Sequence, residues 1–400
     1  MINNYEPLHH KYRPTSFEEL IGQGPITSTL KQALISDRIA PAYIFSGPRG
    51  TGKTSSARIF AKSLNCLKSE KPTTLPCGGC EICKGINSGN ALDIIEIDAA
   101  SNTGVENIRE LIERSRFAPA KARWKVYVID ECHMLSTAAF NALLKTLEEP
   151  PPQVVFILAT TDPQRVLPTI LSRCMRFDFR RISLQDLENH LKSIAEKEKI
   201  LINEEAISLI AKHSQGGLRD AESLLDQISL LPPPINKFNI IQLIGAVPEE
   251  ELILLANSLI NKDPNSILNI CECLINKGKE PIAILQGIAS ILRDLVITKV
   301  TNEPNNLCNV SQENRQRLED LATSSNLDII LGLQAKLKGS ENNIRNSNQP
   351  KLWLEIHLLG MLSDEDFTEK YRKEKPQVKA RISDRYESNK TNNTYEDVEL

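Results

Sequence analysis

What this 400-residue chain lacks narrows the reading first. It has no excess of one charge: 48 Lys plus Arg stand against 51 Asp plus Glu, and a net charge of −3 gives no global pull toward nucleic acid or an anionic membrane. Any contact with DNA must therefore be local or built by assembly. No apolar run approaches the roughly 18 residues that a membrane span needs, so no membrane partner is expected. The opening stretch, Met1 to Pro14, is polar and has no apolar h-region, which points to a cytoplasmic protein. No repeat recurs at solenoid periods, and 18 Gly with 22 Pro are too few for a collagenous or low-complexity chain. The nine cysteines are too sparse for a disulfide scaffold, and four of them, Cys66, Cys77, Cys80 and Cys83, crowd together. In a reducing compartment such a cluster suggests metal before disulfides.

What is present suggests several domains, since a domain usually takes about 100 to 200 residues. Short β-branched runs at Ala42 to Ser46, Asp93 to Asp98, Lys125 to Ile129, Val154 to Ala159 and Met175 to Phe179 alternate with helical patterns. That is how a parallel sheet with crossover helices reads, and it predicts an α/β nucleotide fold over 1–181. From Ile182 the strand signals stop. Ile207, Ile210 and Ala211, then Leu218, Leu224, Leu225 and Ile228, recur at helical spacing, so 182–232 is an all-helical domain that Pro232, Pro233 and Pro234 bring to an end. Residues 235–362 are helical again, with Leu352, Ile356 and Leu359 on one face of the last helix. Residues 363–400 are charged and without period, and are expected to be disordered.

Gly47-Pro48-Arg49-Gly50-Thr51-Gly52-Lys53-Thr54 fits G-x-x-x-x-G-K-[ST] between a strand and a helix. The backbone N–H groups of such a loop curl around phosphate oxygens, Lys53 reaches the outer phosphates, and the Thr54 hydroxyl ligates Mg2+. Val126 to Ile129 then run apolar into Asp130 and Glu131, which places Asp130 at the carboxyl edge of the sheet as the metal carboxylate and Glu131 as the general base. The competing reading is a pair of acids favouring the start of the next helix. Cys132 and His133 read as packing around them.

The cysteines are spaced C-x10-C-x2-C-x2-C, and four thiolates suit a closed tetrahedral Zn2+ site of structural type. Gly78 and Gly79 permit the tight turn between Cys77 and Cys80. A redox-active Cys77 and Cys80 pair, or free thiols, are the alternatives.

Together these strings resemble the gamma/tau subunits of bacterial DNA polymerase III, the ATPase motors of the sliding-clamp loader and members of the AAA+ class. The residues that carry the resemblance are His10 to Pro14, Phe17 to Gln23, the phosphate loop, the four-cysteine insert, Ile94 to Ser101, Asp130 to Leu135, Phe140 to Pro150, Leu158 to Gln164 and Leu171 to Cys174. The likeness is dense over residues 1 to about 230 and looser beyond. It implies an AAA+ domain at 1–181 with a zinc insert at 66–89, a helical lid at 182–232 and a helical collar at 235–362 that holds subunits in a ring. Thr160 or Thr161 would sense the γ-phosphate, and Arg219 would be a second sensor on the lid. Arg173 would act in trans on ATP bound by a neighbouring subunit. Tyr12, Arg13, Pro14 and Ile21 to Gln23 would cover the adenine. The cofactors implied are ATP, Mg2+ and structural Zn2+; the partners are the other clamp-loader subunits, the sliding clamp and primer-template DNA.

The family's long form continues into regions that bind the polymerase subunit and the replicative helicase, contacts that these 400 residues leave open. A non-hydrolysing scaffold subunit resembling delta-prime shares the insert and the Ser-Arg-Cys string but lacks a working phosphate loop. The intact Lys53, Thr54, Asp130 and Glu131 favour the motor, and an unrelated AAA+ remodeller would not carry the insert. Nothing suggests that the chain polymerises DNA.

Overall fold

The computed structural model describes residues 5–301 and 307–363; the tail predicted from 363 lies, Ser363 apart, outside them. Contacts divide the chain into two units, Met1–Leu243 and Ile244–Leu400.

In the first unit α1 (Leu8–Lys11) and α2 (Gly24–Ile35) precede an alternation of β1 (Ala42–Ser46), α3 (Lys53–Asn65), α4 (Glu81–Ser88), β2 (Ile94–Asp98), α5 (Val105–Ser115), β3 (Lys125–Asp130), α6 (Thr137–Glu148), β4 (Val154–Thr160), α7 (Pro168–Leu171) and β5 (Met175–Asp178). All five predicted strands form, each within one residue of its expected bounds, in a parallel sheet of order β2-β3-β4-β1-β5. The central strands are near-continuous apolar runs because helices cover both faces. Their alternation sorts side chains between two cores. Tyr43, Phe45, Val128 and Ile157 pack with Phe60 and Leu64 of α3, whereas Ile44, Ile129, Phe156 and Leu158 pack with Phe140 and Leu143 of α6. Registers that set Ser46 opposite Thr160, and Asp98 opposite Asp130, bring the strands' carboxyl ends to one crest.

Beyond β5 come α8 (Leu184–Glu198), α9 (Glu204–His213) and α10 (Leu218–Ser229). Ser183 and Asn203 cap the first two by accepting the Asp186 and Ala206 N–H groups. Of the apolar stripes read from sequence, Ile207, Ile210, Ala211, Leu218, Leu225 and Ile228 are buried where these helices meet, and Leu224 is half-buried. A short α11 (Lys237–Leu243) packs on α9 and closes the unit.

The second unit is all-helical over its described residues: α12 (Glu249–Ile260), α13 (Pro264–Asn276), α14 (Pro281–Val300), α15 (Gln312–Ser324), α16 (Leu327–Lys336), α17 (Ser340–Arg345) and α18 (Pro350–Gly360). α14 corrects one expectation, because by length and composition alone it could cross a membrane. The sequence reading missed it because Gln286, Arg293 and Asp294 interrupt any unbroken apolar run. It is the hub of this unit, touching α12, α15, α16, α17 and α18 and burying Ile284, Ile288, Leu292 and Leu295. Asp294, fully buried, accepts the N–H groups of Asn309 and Val310 through Oδ2 at 2.7 and 3.1 Å, which fastens the segment leading into α15.

Candidate functional site

The phosphate loop leaves β1 through Gly47, whose φ of 145° and close passage over Phe179 leave no space for a side chain: a Cβ there would lie 2.3 Å from the Phe179 carbonyl oxygen. The chain then enters α3 at Lys53. The Lys53 ammonium donates to the Gly47 and Pro48 carbonyls at 2.8 Å each. Burial pushes its pKa below the usual lysine value, while Glu131 and Asp130 pull it back. A cation already desolvated and held only by two loop carbonyls is poised for a polyanion.

Across the crest, Thr54 Oγ1 donates to Asp130 Oδ2 at 2.7 Å. These two oxygens, one from the loop helix and one from the end of β3, are a hard donor set that fits Mg2+. Glu131 follows in the left-handed region at φ 46° and ψ 43°, its N–H bonded to Asp130 Oδ1 at 2.9 Å. For a non-glycine residue that backbone costs on the order of 1 to 3 kcal/mol, a strain common at functional sites. It turns the two neighbouring acids to different partners. Glu131 Oε2 accepts from Thr161 Oγ1 at 2.9 Å and from the Thr161 N–H at 3.3 Å. Thr160 is fully buried instead, with His133 Nδ1 3.1 Å from its hydroxyl and the Asp162 N–H donating to it at 3.0 Å. His133 Nδ1 also stands 3.4 Å from Glu131 Oε2, so Glu131, His133, Thr160 and Thr161 make one polar chain. Cys132 is buried in the core beneath, where burial raises its thiol pKa.

A cleft of about 240 Å³ opens over the loop. Arg13, Arg49, Lys53 and Arg219 line it as cations, Asp130 and Glu131 as acids, and Leu20, Ile21, Ile182 and Leu218 as an apolar shelf. A second hollow of about 520 Å³ exposes Arg49, Glu131, His133, Thr161 and Arg181. The lid reaches the loop by its backbone: the Leu218 N–H, at the start of α10, donates to the Gly50 carbonyl at 2.9 Å. Gly50 sits at φ 74°, and a Cβ on it would come within 3.3 Å of Gly217 Cα. No local spacing in the sequence announces that contact.

Of the residues expected over the base, Arg13, Pro14 and Ile21 line the cleft. Tyr12 does not; its hydroxyl donates to Glu198 at 2.5 Å. Gln23 is a buried strut, bonded through its side chain to the Arg180 backbone at 2.7 and 3.2 Å. Arg173 lies outside the chain's own cleft, paired with Glu148 Oε1 at 2.5 Å and donating to the Thr169 carbonyl at 2.6 Å.

At the far end of α3, Cys66, Cys77, Cys80 and Cys83 converge with all four sulfurs within 4.8 Å of one another and no disulfide among them. Tetrahedral zinc thiolates, with Zn–S of about 2.3 Å, set sulfurs about 3.8 Å apart, so the donor set fits. The Cys77, Cys80 and Cys83 N–H groups donate to the sulfurs of Cys66, Cys77 and Cys80 at 3.3, 3.3 and 3.4 Å. Such donors favour thiolate: the Cys80 and Gly79 N–H groups hold the Cys77 pKa down at about 6. Arg123 fastens the insert by donating to the carbonyls of Leu64, Cys66 and Ser69.

Comparison with known proteins agrees along the chain. Residues 22–183 match the family of DNA polymerase III, delta subunit; 186–228 match the DNA polymerase III clamp loader subunit, ATPase lid domain; and 235–373 match DNA polymerase III subunits gamma and tau domain III. DNA polymerase III subunit tau of Bacillus subtilis is 41% identical over 357 residues, covering 88% of this chain and 62% of that protein. DNA polymerase III subunit gamma of Buchnera aphidicola is 37% identical over 363 residues, covering 90% of this chain and 97% of that one. Among solved structures, the Thermotoga maritima RuvB Holliday junction branch migration motor aligns at TM-score 0.46 and 19% identity, over 62% of this chain and 79% of that chain. This chain thus spans about three-fifths of its tau relative and nearly all of its gamma relative.

Proposed function

The chain belongs to the gamma/tau family of DNA polymerase III subunits, and from that premise we propose that it is an ATP-binding and ATP-hydrolysing motor of the clamp loader, placing a sliding clamp on primed DNA in the cytoplasm. The observation that carries the proposal is the pairing of Thr54 with Asp130 at 2.7 Å, directly beside a phosphate loop whose lysine is buried and engaged by loop carbonyls.

ATP binding exchanges the Gly47 and Pro48 carbonyls for phosphate oxygens on Lys53. Thr54 and Asp130 would hold Mg2+, which would neutralise charge on the outer phosphates. Glu131 takes the proton of the attacking water, Thr160 or Thr161 reads the γ-phosphate, and Arg219 brings positive charge from the lid. Arg173, outside its own cleft, serves the ATP of the next subunit, which would be reached through the hollow where Glu131 and Thr161 are exposed. Other clamp-loader subunits, the clamp and primer-template DNA are the proposed partners. The complete set of loop and acids argues against a non-hydrolysing scaffold.

Lys53→Ala tests the first step. Loss of a charged hydrogen bond to phosphate, worth about 1.5 to 3 kcal/mol per contact, should weaken ATP binding about tenfold to a hundredfold or more, read by titration with a fluorescent ATP analogue. Unchanged affinity would remove the loop from the site.

We assign Zn2+ to the four cysteines as a structural ion, since no open position or attendant acid accompanies them. Metal analysis should return one zinc per chain. Cys83→Ser should lower the melting temperature of the unit: a loss of even about 3 kcal/mol corresponds to about 6 to 12 °C in a domain of this size. Zinc-free protein with four titratable thiols and an unaltered melting temperature would refute the assignment.

A further inference from the structure

One wall of the cleft is carried by the lid and not by the α/β layer. α1 packs on α10, and its two ends are tied to lid carboxylates. At the first end, Asp226 of α10, only 8% exposed, accepts the Tyr5 hydroxyl at 2.5 Å and the Leu8 N–H at 3.2 Å through one oxygen. At the second, Glu198 at the end of α8 accepts the Tyr12 hydroxyl at 2.5 Å and pairs with Lys11 at 2.6 Å. His9 and His10, between the ties, and Arg13, just past the second, face the cleft, with the Ser223 hydroxyl of α10 3.4 Å from His9 Nδ1.

The spacing on α10 joins these facts. Arg219, Ser223 and Asp226 are four and then three residues apart, so they share one helical face. Arg219 enters the cleft from that face, Ser223 meets the strap in its middle, and Asp226 holds its start. A carboxylate is suited to the last position because it accepts two donors at once and satisfies an N–H that opens a short helix and has no partner within it.

We propose that Asp226 is a positioning residue for nucleotide binding: it fastens the strap of residues 5–13 to the lid, so that His9, His10 and Arg13 close on the nucleotide together with Arg219. The inference rests on the reading of the cleft as an ATP site. It makes the closing element a two-part body, lid plus strap, joined across more than two hundred residues of sequence.

The full chain carrying Asp226→Ala, Asp226→Asn or Tyr5→Phe, titrated with a fluorescent ATP analogue and assayed for steady-state turnover, tests it. Loss of two hydrogen bonds to a carboxylate should weaken affinity about tenfold, with the loss concentrated in KM and not in kcat. Asp226→Asn keeps an accepting oxygen for both donors and should restore affinity to within about threefold of wild type. Tyr5→Phe, a change at an exposed ring that leaves folding intact, should weaken binding by about threefold; should Asp226→Ala fail to fold, this variant decides, weaker binding supporting the tie and unchanged binding overturning it. Wild-type affinity in both Asp226→Ala and Tyr5→Phe, beside a Lys53→Ala chain that binds at least about tenfold more weakly, overturns the strap alone. A wild-type chain that binds no ATP overturns the nucleotide reading and the strap with it.

Discussion

Arg173→Ala is expected to lower ATP turnover of the assembled clamp loader by about 10³- to 10⁵-fold, the contribution of an arginine that meets transferring phosphate from a neighbouring subunit. The expectation rests on the role in trans proposed above, and the placement of the side chain leaves room for it. Its side chain is one-third exposed, held by Glu148 and the Thr169 carbonyl, and absent from its own cleft. Exposed ion pairs of this kind contribute about 0 to 1 kcal/mol, so releasing Glu148 costs little against the stabilisation available at a phosphoryl group. For the same reason the variant should melt where wild type does and bind ATP with near wild-type affinity as an isolated chain. Turnover assays of the reconstituted complex, with clamp and primed DNA present, make the comparison. Turnover within a few-fold of wild type would exclude action in trans, and a matching loss of ATP affinity in the isolated chain would place Arg173 in its own subunit's site.

Glu131→Gln should leave nucleotide affinity within about threefold and lower single-turnover hydrolysis by about 10²- to 10⁴-fold, the usual contribution of a positioned general base. Glutamine preserves shape and an oxygen that accepts from Thr161, so the polar chain to His133 and Thr160 can persist. What it removes is the capacity to take a proton from water. Normal hydrolysis in this variant would take Glu131 out of the chemistry and leave it the alternative of an acid near a helix start.

Much of the α/β layer was legible because its strands are β-branched runs buried on both faces, and such runs admit few other readings. The phosphate loop and the four cysteines were legible because their spacing alone brings the groups together: a tight glycine turn in one case, four sulfurs within 4.8 Å of one another in the other. Less accessible were features built by tertiary approach. The adjacent Thr160 and Thr161 are alike in sequence, yet Thr160, the last residue of β4, is buried against His133, whereas Thr161, just past the strand, donates to Glu131. Tyr12 looked like a cover for the base and is drawn off to Glu198 instead. The ties from Tyr5 and Leu8 to Asp226 bridge 221 and 218 residues, and no periodicity connects positions so far apart. α14 escaped for the opposite reason: three polar residues broke its run locally, although the helix as a whole is apolar enough to form the centre of a bundle.

One helix joins the two best-defined chemistries of the first unit. α3 begins at Lys53, under the phosphate loop, and runs 13 residues to Asn65, with Cys66 the next residue. At about 1.5 Å per residue it is a straight rod of about 20 Å. Cobalt taken up by the four cysteines would stand at the far end of this rod from a nucleotide on the loop, and its visible absorption and paramagnetism would turn the insert into a built-in spectroscopic reporter. Relaxation of a phosphorus nucleus, or quenching of a fluorescent base analogue, could then time the arrival and departure of ATP without any label attached to the protein.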